Sequence, residues 1–105
     1  MGFFATLFGK RDNSALNEAI AKGALLVDVR TPAEFAAGSV KGATNIPLDR
    51  IGQHADKLRK KASVVVCCRS GARSAQAKAI LAHRGCQNVV DGGSWQQVEQ
   101  AVQAK

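Results

Sequence analysis

Along the chain the spacing of apolar positions switches repeatedly between helical and strand-like, and the switches mark out alternating elements. After Asp12-Asn13-Ser14, residues suited to a helix N-cap, the run Ala15 to Ala21 predicts a short helix closed by Gly23. Ala24-Leu25-Leu26-Val27-Asp28-Val29 is then almost continuously apolar over strand length, as a strand covered on both faces of a parallel sheet requires. Thr31-Pro32-Ala33-Glu34 reads as a capping box with proline at the first helical position, predicting a short helix to about Ala37 that ends at Gly38. Thr44-Asn45-Ile46-Pro47 predicts a brief second strand. Leu48 to Lys61 predicts a helix with Leu48, Ile51, Ala55 and Leu58 inward and Lys57, Arg59, Lys60 and Lys61 as a solvated face. Ser63-Val64-Val65-Val66-Cys67 is the clearest strand. Ser74 to Arg84 predicts a helix with Ala75, Ala79 and Ile80 inward and Gly85 as its stop. Asn88-Val89-Val90 predicts a strand and Trp95 to Ala104 a closing helix. Strands alternating with helices predict an α/β fold on a parallel sheet.

Length and composition narrow the classes. With 105 residues the chain suits one domain, and 46% hydrophobic and 22% charged residues exclude collagen-like and disordered classes. No apolar run approaches the roughly 20 residues of a membrane-spanning helix. The net charge of +7 favours anionic partners. Tyr is absent and Phe and Trp are few, so a row of base-stacking aromatics is lacking and nucleic acid is not the expected partner. Residues 1–11 form a short apolar N-terminal segment before a domain spanning residues 12–105. Phe3, Phe4, Leu7 and Phe8 share one helical face there, which suits docking on the domain's own surface or contact with a membrane or partner. Three cysteines, two of them adjacent, argue against a disulfide framework and for reduced thiols in the cytoplasm. His54 and His83 lack partners at ligand spacing, so no metal site and no cofactor are expected, and a monomer is the expected state.

The chemistry concentrates in Val64-Val65-Val66-Cys67-Cys68-Arg69-Ser70-Gly71-Ala72-Arg73-Ser74, read as a buried strand, a turn from Cys68 to Arg73 and a helix starting at Ser74. Ligands of open parallel sheets bind at the carboxyl ends of the strands, where Cys68 stands. Backbone N–H groups of a loop wrapping toward a helix N-terminus converge on such a sulfur. With Arg69 and Arg73 nearby, the thiol is expected to ionise below its free pKa of roughly 8.5 and act as a nucleophile. Cys67 points to the opposite face and is read as an inert core residue. Cys86, just past a helix end, is read as packing, with a resolving thiol as the alternative.

Together these residues resemble a single-domain rhodanese, a thiosulfate sulfurtransferase-like protein of the small bacterial type. Asp28-Val29-Arg30-Thr31-Pro32-Ala33-Glu34-Phe35 resembles the family's first signature and Gly42-Ala43-Thr44-Asn45-Ile46-Pro47 its second. Cys68-Arg69-Ser70-Gly71-Ala72-Arg73-Ser74 resembles its active-site loop, and Gly92-Gly93 with Trp95 its closing motif. The resemblance implies a three-layer α/β fold, with a mostly parallel central sheet and helices on both faces. It further implies that Cys68 accepts a sulfane sulfur as a persulfide, cradled by the backbone of Arg69, Ser70, Gly71, Ala72 and Arg73. Arg69 would attract a small anionic donor such as thiosulfate, and Arg73 would brace the loop against Asp28. Gly71 would supply an unusual backbone angle and Ser74 would cap the following helix. The acceptor would be cyanide or a thiol, including one on a thioredoxin-like protein.

Two departures stand out. Gly38-Ser39-Val40 replaces the Gly-His that many members carry, and Trp95 follows Gly93 by only two residues, which leaves the packing of the last helix open. One rival is a dual-specificity or arsenate-reductase-like phosphatase: counted from Cys67, Arg73 falls at that family's arginine position. The glycine and the loop length fit only when counted from Cys68. Another rival is a sulfur-carrying or regulatory module without small-molecule turnover.

Overall fold

The computed structural model describes residues 13–104, and the apolar segment over residues 1–11, with the contacts expected of it, lies outside them. In chain order the elements are α1 (Ser14–Ala21), β1 (Leu25–Asp28), α2 (Pro32–Ala37), β2 (Thr44–Asn45), a 3₁₀ helix (Leu48–His54), α3 (Ala55–Arg59), β3 (Val64–Cys68), α4 (Ala72–His83), β4 (Val89–Ser94) and α5 (Trp95–Gln103). The four strands form one parallel sheet in the order β2-β1-β3-β4. The chain leaves β1 toward one side of the sheet and returns on the other, so the crevice of an open α/β sheet falls at the carboxyl ends of β1 and β3.

Strand alternation sends side chains of β3 to both layers. Val64, Val66 and Cys68 join one core with Ile51, Ala55, Leu58, Ala77 and Leu81, beneath the 3₁₀ helix, α3 and α4. Val65 and Cys67 join the other with Leu16, Ala19, Ile20 and Val98, beneath α1 and α5. All five residues of β3 are buried, and each valine so enclosed contributes about 1.5–3 kcal/mol. The result is the expected three-layer α/β architecture.

Local signals explain most boundaries. Thr31 and Glu34 form the predicted capping box, with Pro32 opening α2. Ser94 and Gln97 form a second box at the start of α5, and Val98 is fully enclosed beneath it. The short Gly93-to-Trp95 spacing is therefore accommodated without loosening the last helix.

Three expectations are corrected. The single helix expected over Leu48 to Lys61 is a 3₁₀ helix followed by the short α3, although Ile51, Ala55 and Leu58 do point inward. Gly52 lies mid-run, where glycine disfavours an α-helix, and the Arg84 side chain crosses it, donating from Nη1 to the Gly52 carbonyl at 3.2 Å. Helix α4 begins at Ala72, not Ser74, because Gly71 adopts a left-handed φ of +105° and turns the chain into the helix early. It buries Ser74, Ala77 and Leu81, leaves Ile80 half-buried, and exposes Ala75 and Ala79. Facing the sheet with Leu81 removes more apolar area from water than facing it with two alanines. Strand β4 runs past Val90 to Ser94 through a bulge opposite Val66 and Cys67, where two glycines give no strand signal.

Candidate active site

Cys68 is the last residue of β3, and its sulfur sits at the floor of a tight loop formed by Arg69, Ser70 and Gly71. The Gly71 N–H points back at the sulfur, with N to Sγ at 3.0 Å. Burial pushes the Cys68 thiol up. The Ser74 N–H and hydroxyl and the N–H groups of Gly71 and Ser70 oppose it, and the net result is a thiol held below its ordinary range. The Ser74 hydroxyl faces two acceptors, the sulfur and the Gly71 carbonyl, and here the carbonyl takes its proton at 3.0 Å. Ser74 thus lies in the first turn of α4 and points into the cradle; the cap position expected for it belongs to Gly71.

One residue earlier the surroundings reverse. Cys67 lies on the other face of β3, where burial first and the Asp28 carboxylate next push its thiol up to about 12, with the Arg30 guanidinium opposing them weakly. Cys86 is also enclosed and donates to the Ala55 carbonyl with Sγ at 3.4 Å. None of the three cysteines is in a disulfide.

The two loop arginines part company. Arg69 is exposed and forms no ion pair among the described residues. Arg73 grips Glu34 in a two-pronged pair, Nη1 to Oε1 at 2.6 Å and Nη2 to Oε2 at 2.9 Å. Glu34 also accepts from the Thr31 N–H at 3.1 Å, so one carboxylate completes the α2 capping box and fastens the active loop across the β1/β3 crevice. The Arg73 guanidinium first, then the Thr31 N–H, hold its carboxyl down to about 2.

The expected brace between Arg73 and Asp28 is therefore corrected. Asp28 pairs with Arg30 two residues along the same face of the chain, Nε to Oδ1 at 2.9 Å and Nη2 to Oδ2 at 2.7 Å, with both side chains buried. Arg30 Nη2 also donates to the Gly38 carbonyl at 2.6 Å, and its guanidinium carbon lies 5.1 Å from the Trp95 ring centroid. Asn45 Nδ2 donates to the carbonyls of Asp28 and Arg30 at 3.0 and 2.9 Å and fixes the exit of β1. Glu34 and Arg30 escaped the sequence reading as site supports: Glu34 carried a sufficient local role as a capping residue, and its partner is 39 positions away.

Gly92 and Gly93 fit the loop to β4. A Cβ at Gly92 would lie 2.6 Å from Val98 Cγ2 and 2.9 Å from Val65 Cγ1, so any side chain there would have to displace both valines. A Cβ at Gly71 would meet the Gly93 backbone at 3.9 Å, which places the loop directly on the bulge. Among the described residues no group of three or more His, Cys, Asp or Glu side chains is placed to hold a metal ion, and no helix is long and apolar enough to cross a membrane.

Known proteins resemble this chain in sequence and in fold. A sulfurtransferase of Allochromatium vinosum is 40% identical over 82 residues, covering 76% of this chain and 77% of that protein. Among solved structures, a rhodanese with anions from E. coli superposes with a TM-score of 0.65 at 31% identity, covering 71% of this chain and 91% of its own. The human single-domain sulfurtransferase TSTD1 gives 0.64 at 26% identity, covering 78% and 87%. The family model for the rhodanese-like domain matches residues 12–100, and with β3, its thiol loop and the β4 glycines all inside that span, the chain belongs to the rhodanese-like domain family.

Proposed function

We propose that this chain is a sulfurtransferase that carries a sulfane sulfur on Cys68, from thiosulfate or a polysulfide or persulfide donor to a thiophilic acceptor, cyanide or a thiol. The observation that carries the reading is the cradle: a thiol at a strand end with the Gly71 N–H at 3.0 Å and further donors from Ser70 and Ser74. Such donors stabilise a thiolate and, equally, the persulfide anion that replaces it. The names of the relatives support the same class of reaction.

In the first half-reaction the Cys68 thiolate attacks the outer sulfur of thiosulfate, the sulfur–sulfur bond of the donor breaks, and sulfite leaves with its electron pair. Arg69, exposed at the rim, attracts the dianion. In the second, cyanide or a thiolate attacks the outer sulfur of the persulfide, and Cys68 departs as the thiolate that the cradle stabilises. Arg73 and Glu34 hold the loop in place, Gly71 sets its turn, and Ala72 begins α4 behind it. Arg73 is already committed to a carboxylate, so it is not free to clamp a phosphate, which weighs against the phosphatase reading. Unpaired cysteines suit a reducing compartment, the cytoplasm.

Thiosulfate:cyanide turnover tests the reading. The wild type is expected to form thiocyanate, with a loading rate that rises with pH through an inflection below the ordinary thiol value of about 8.5, and Cys68→Ser to abolish it. Turnover that survives Cys68→Ser, or hydrolysis of para-nitrophenyl phosphate in place of sulfur transfer, would overturn the assignment.

A further inference from the structure

Beside the cradle lies an open cleft of about 350 Å³ lined by Val29, Thr31, Pro47, Leu48, Asp49 and Arg73. Its volume falls within the roughly 300–1,000 Å³ that hold small organic ligands. Two observations tie it to the thiol. Cys67 pairs with Asp28 at the end of the β1/β3 register and the Val29 N–H donates to the Cys67 carbonyl at 2.9 Å, so the chain leaving β1 at Val29 runs beside the end of β3 where Cys68 stands. Val29 and Cys68 also belong to the same apolar cluster, on the same side of the sheet, and Arg73 of the active loop forms one wall.

The lining differs in character from the rim at Arg69. Val29, Pro47 and Leu48 give an apolar floor, and the backbone donor of Leu48 is already used on the Val29 carbonyl at 3.0 Å. The cation in the wall, Arg73, is neutralised by Glu34. Asp49 is exposed and makes no ion pair among the described residues, so the uncompensated charge in the cleft is negative. An anion is attracted at Arg69 and repelled here, whereas an apolar body with a neutral or cationic end fits both the floor and the charge.

We infer that this cleft receives the sulfur acceptor, and that it selects a small thiol whose body is apolar and carries no negative charge beyond the attacking sulfur, while the anionic donor approaches past Arg69. The inference rests on the sulfurtransferase reading and specifies the acceptor class for the same site. The acceptor thiolate attacks the outer sulfur of the Cys68 persulfide; its new sulfur–sulfur bond forms as the old one breaks, the transferred sulfur keeps the protonation it had on Cys68, and Cys68 leaves as thiolate.

The test uses the full chain loaded with thiosulfate, followed by timed discharge to 2-aminoethanethiol, 2-mercaptoethanol, 3-mercaptopropionate or benzyl mercaptan. Loading of each variant is read first. Intrinsic reactivity differs between thiols, so the readout is the rate ratio of the cationic to the anionic probe, compared between proteins; a general loss of activity does not move it. Asp49→Lys is expected to lower that ratio about five- to tenfold, as reversal of one nearby charge in a hydrated cleft does, and Asp49→Asn about half as far on a logarithmic scale. Leu48→Ser is expected to cut the advantage of benzyl mercaptan over 2-mercaptoethanol about fivefold. Glu18→Lys, an equal charge reversal on α1, is expected to leave both ratios in place. A protein that loads sulfur but shows unchanged ratios in Asp49→Lys and Leu48→Ser overturns this inference and leaves the transferase reading standing. A wild type that takes up no sulfur overturns that reading and this inference with it.

Discussion

Cys67 and Cys68 are adjacent in the chain, and the two sides of the sheet treat them oppositely. On the α1/α5 side, Cys67 lies among Val65, Val98 and the sealed Arg30–Asp28 pair, and its thiol is pushed up to about 12. On the other side, Cys68 is as little exposed, at 1%, yet donors from Ser70, Gly71 and Ser74 hold its thiol down. Exposure therefore does not separate the two. What separates them is heavier desolvation and the Asp28 carboxylate beside Cys67, against the N–H groups that the glycine turn at the start of α4 aims at the Cys68 sulfur.

The contrast is most sensitive to the closed side. Arg30→Met leaves the Asp28 carboxylate buried and unpaired and is expected to cost about 3–5 kcal/mol in denaturant unfolding. The double change Asp28→Leu with Arg30→Met is expected to recover most of that loss; a double variant as unstable as the single one would mean that the pair does more than neutralise itself. A smaller effect follows from crowding the β4 bulge. Gly92→Ala forces Val98 and Val65 apart and is expected to cost about 1–3 kcal/mol, with sulfur loading slowed because Gly93 supports the loop.

The open side is sharpened by Gly71→Ala. A left-handed φ of +105° disfavours any side chain, and about 1 kcal/mol of stability is expected to be lost. The larger change is in chemistry: with the Gly71 N–H displaced, the inflection in the loading-rate profile is expected to move up toward the ordinary thiol value. The smallest effect is a pH dependence at Glu34. Its pKa is lowered to about 2 in the folded protein, so its contribution is present above the ordinary carboxyl value near 4.5 and is lost as pH falls through about 2. Thermal melts of Glu34→Gln and wild type are expected to differ by a constant amount from pH 8 to 5 and to converge toward pH 2.

How far the sequence carried this account depends on the range of each interaction. Strand β3, the α2 capping box and the opposite orientations of Cys67 and Cys68 were legible because each is settled within a few residues. The start of α4 at Ala72 was not, since an early turn at Gly71 and the wish for a cap at Ser74 look alike until the helix is placed on the sheet. The 3₁₀ stretch around Gly52 depends on Arg84 crossing from another element, and the exchange of Asp28 for Glu34 as the partner of Arg73 depends on which face of β1 meets the loop. Contacts between distant segments set these details, and neither periodicity nor spacing encodes them.

Intact mass spectrometry after exposure to thiosulfate bears most directly on the division between the two thiols. Wild type and Cys67→Ser are each expected to gain one sulfur, about 32 Da, that cyanide removes, while Cys68→Ser gains none because its remaining thiols lack a cradle. Sulfur carried by Cys68→Ser, or lost in Cys67→Ser with the fold intact, would place the reactive thiol on the wrong face and contradict the account.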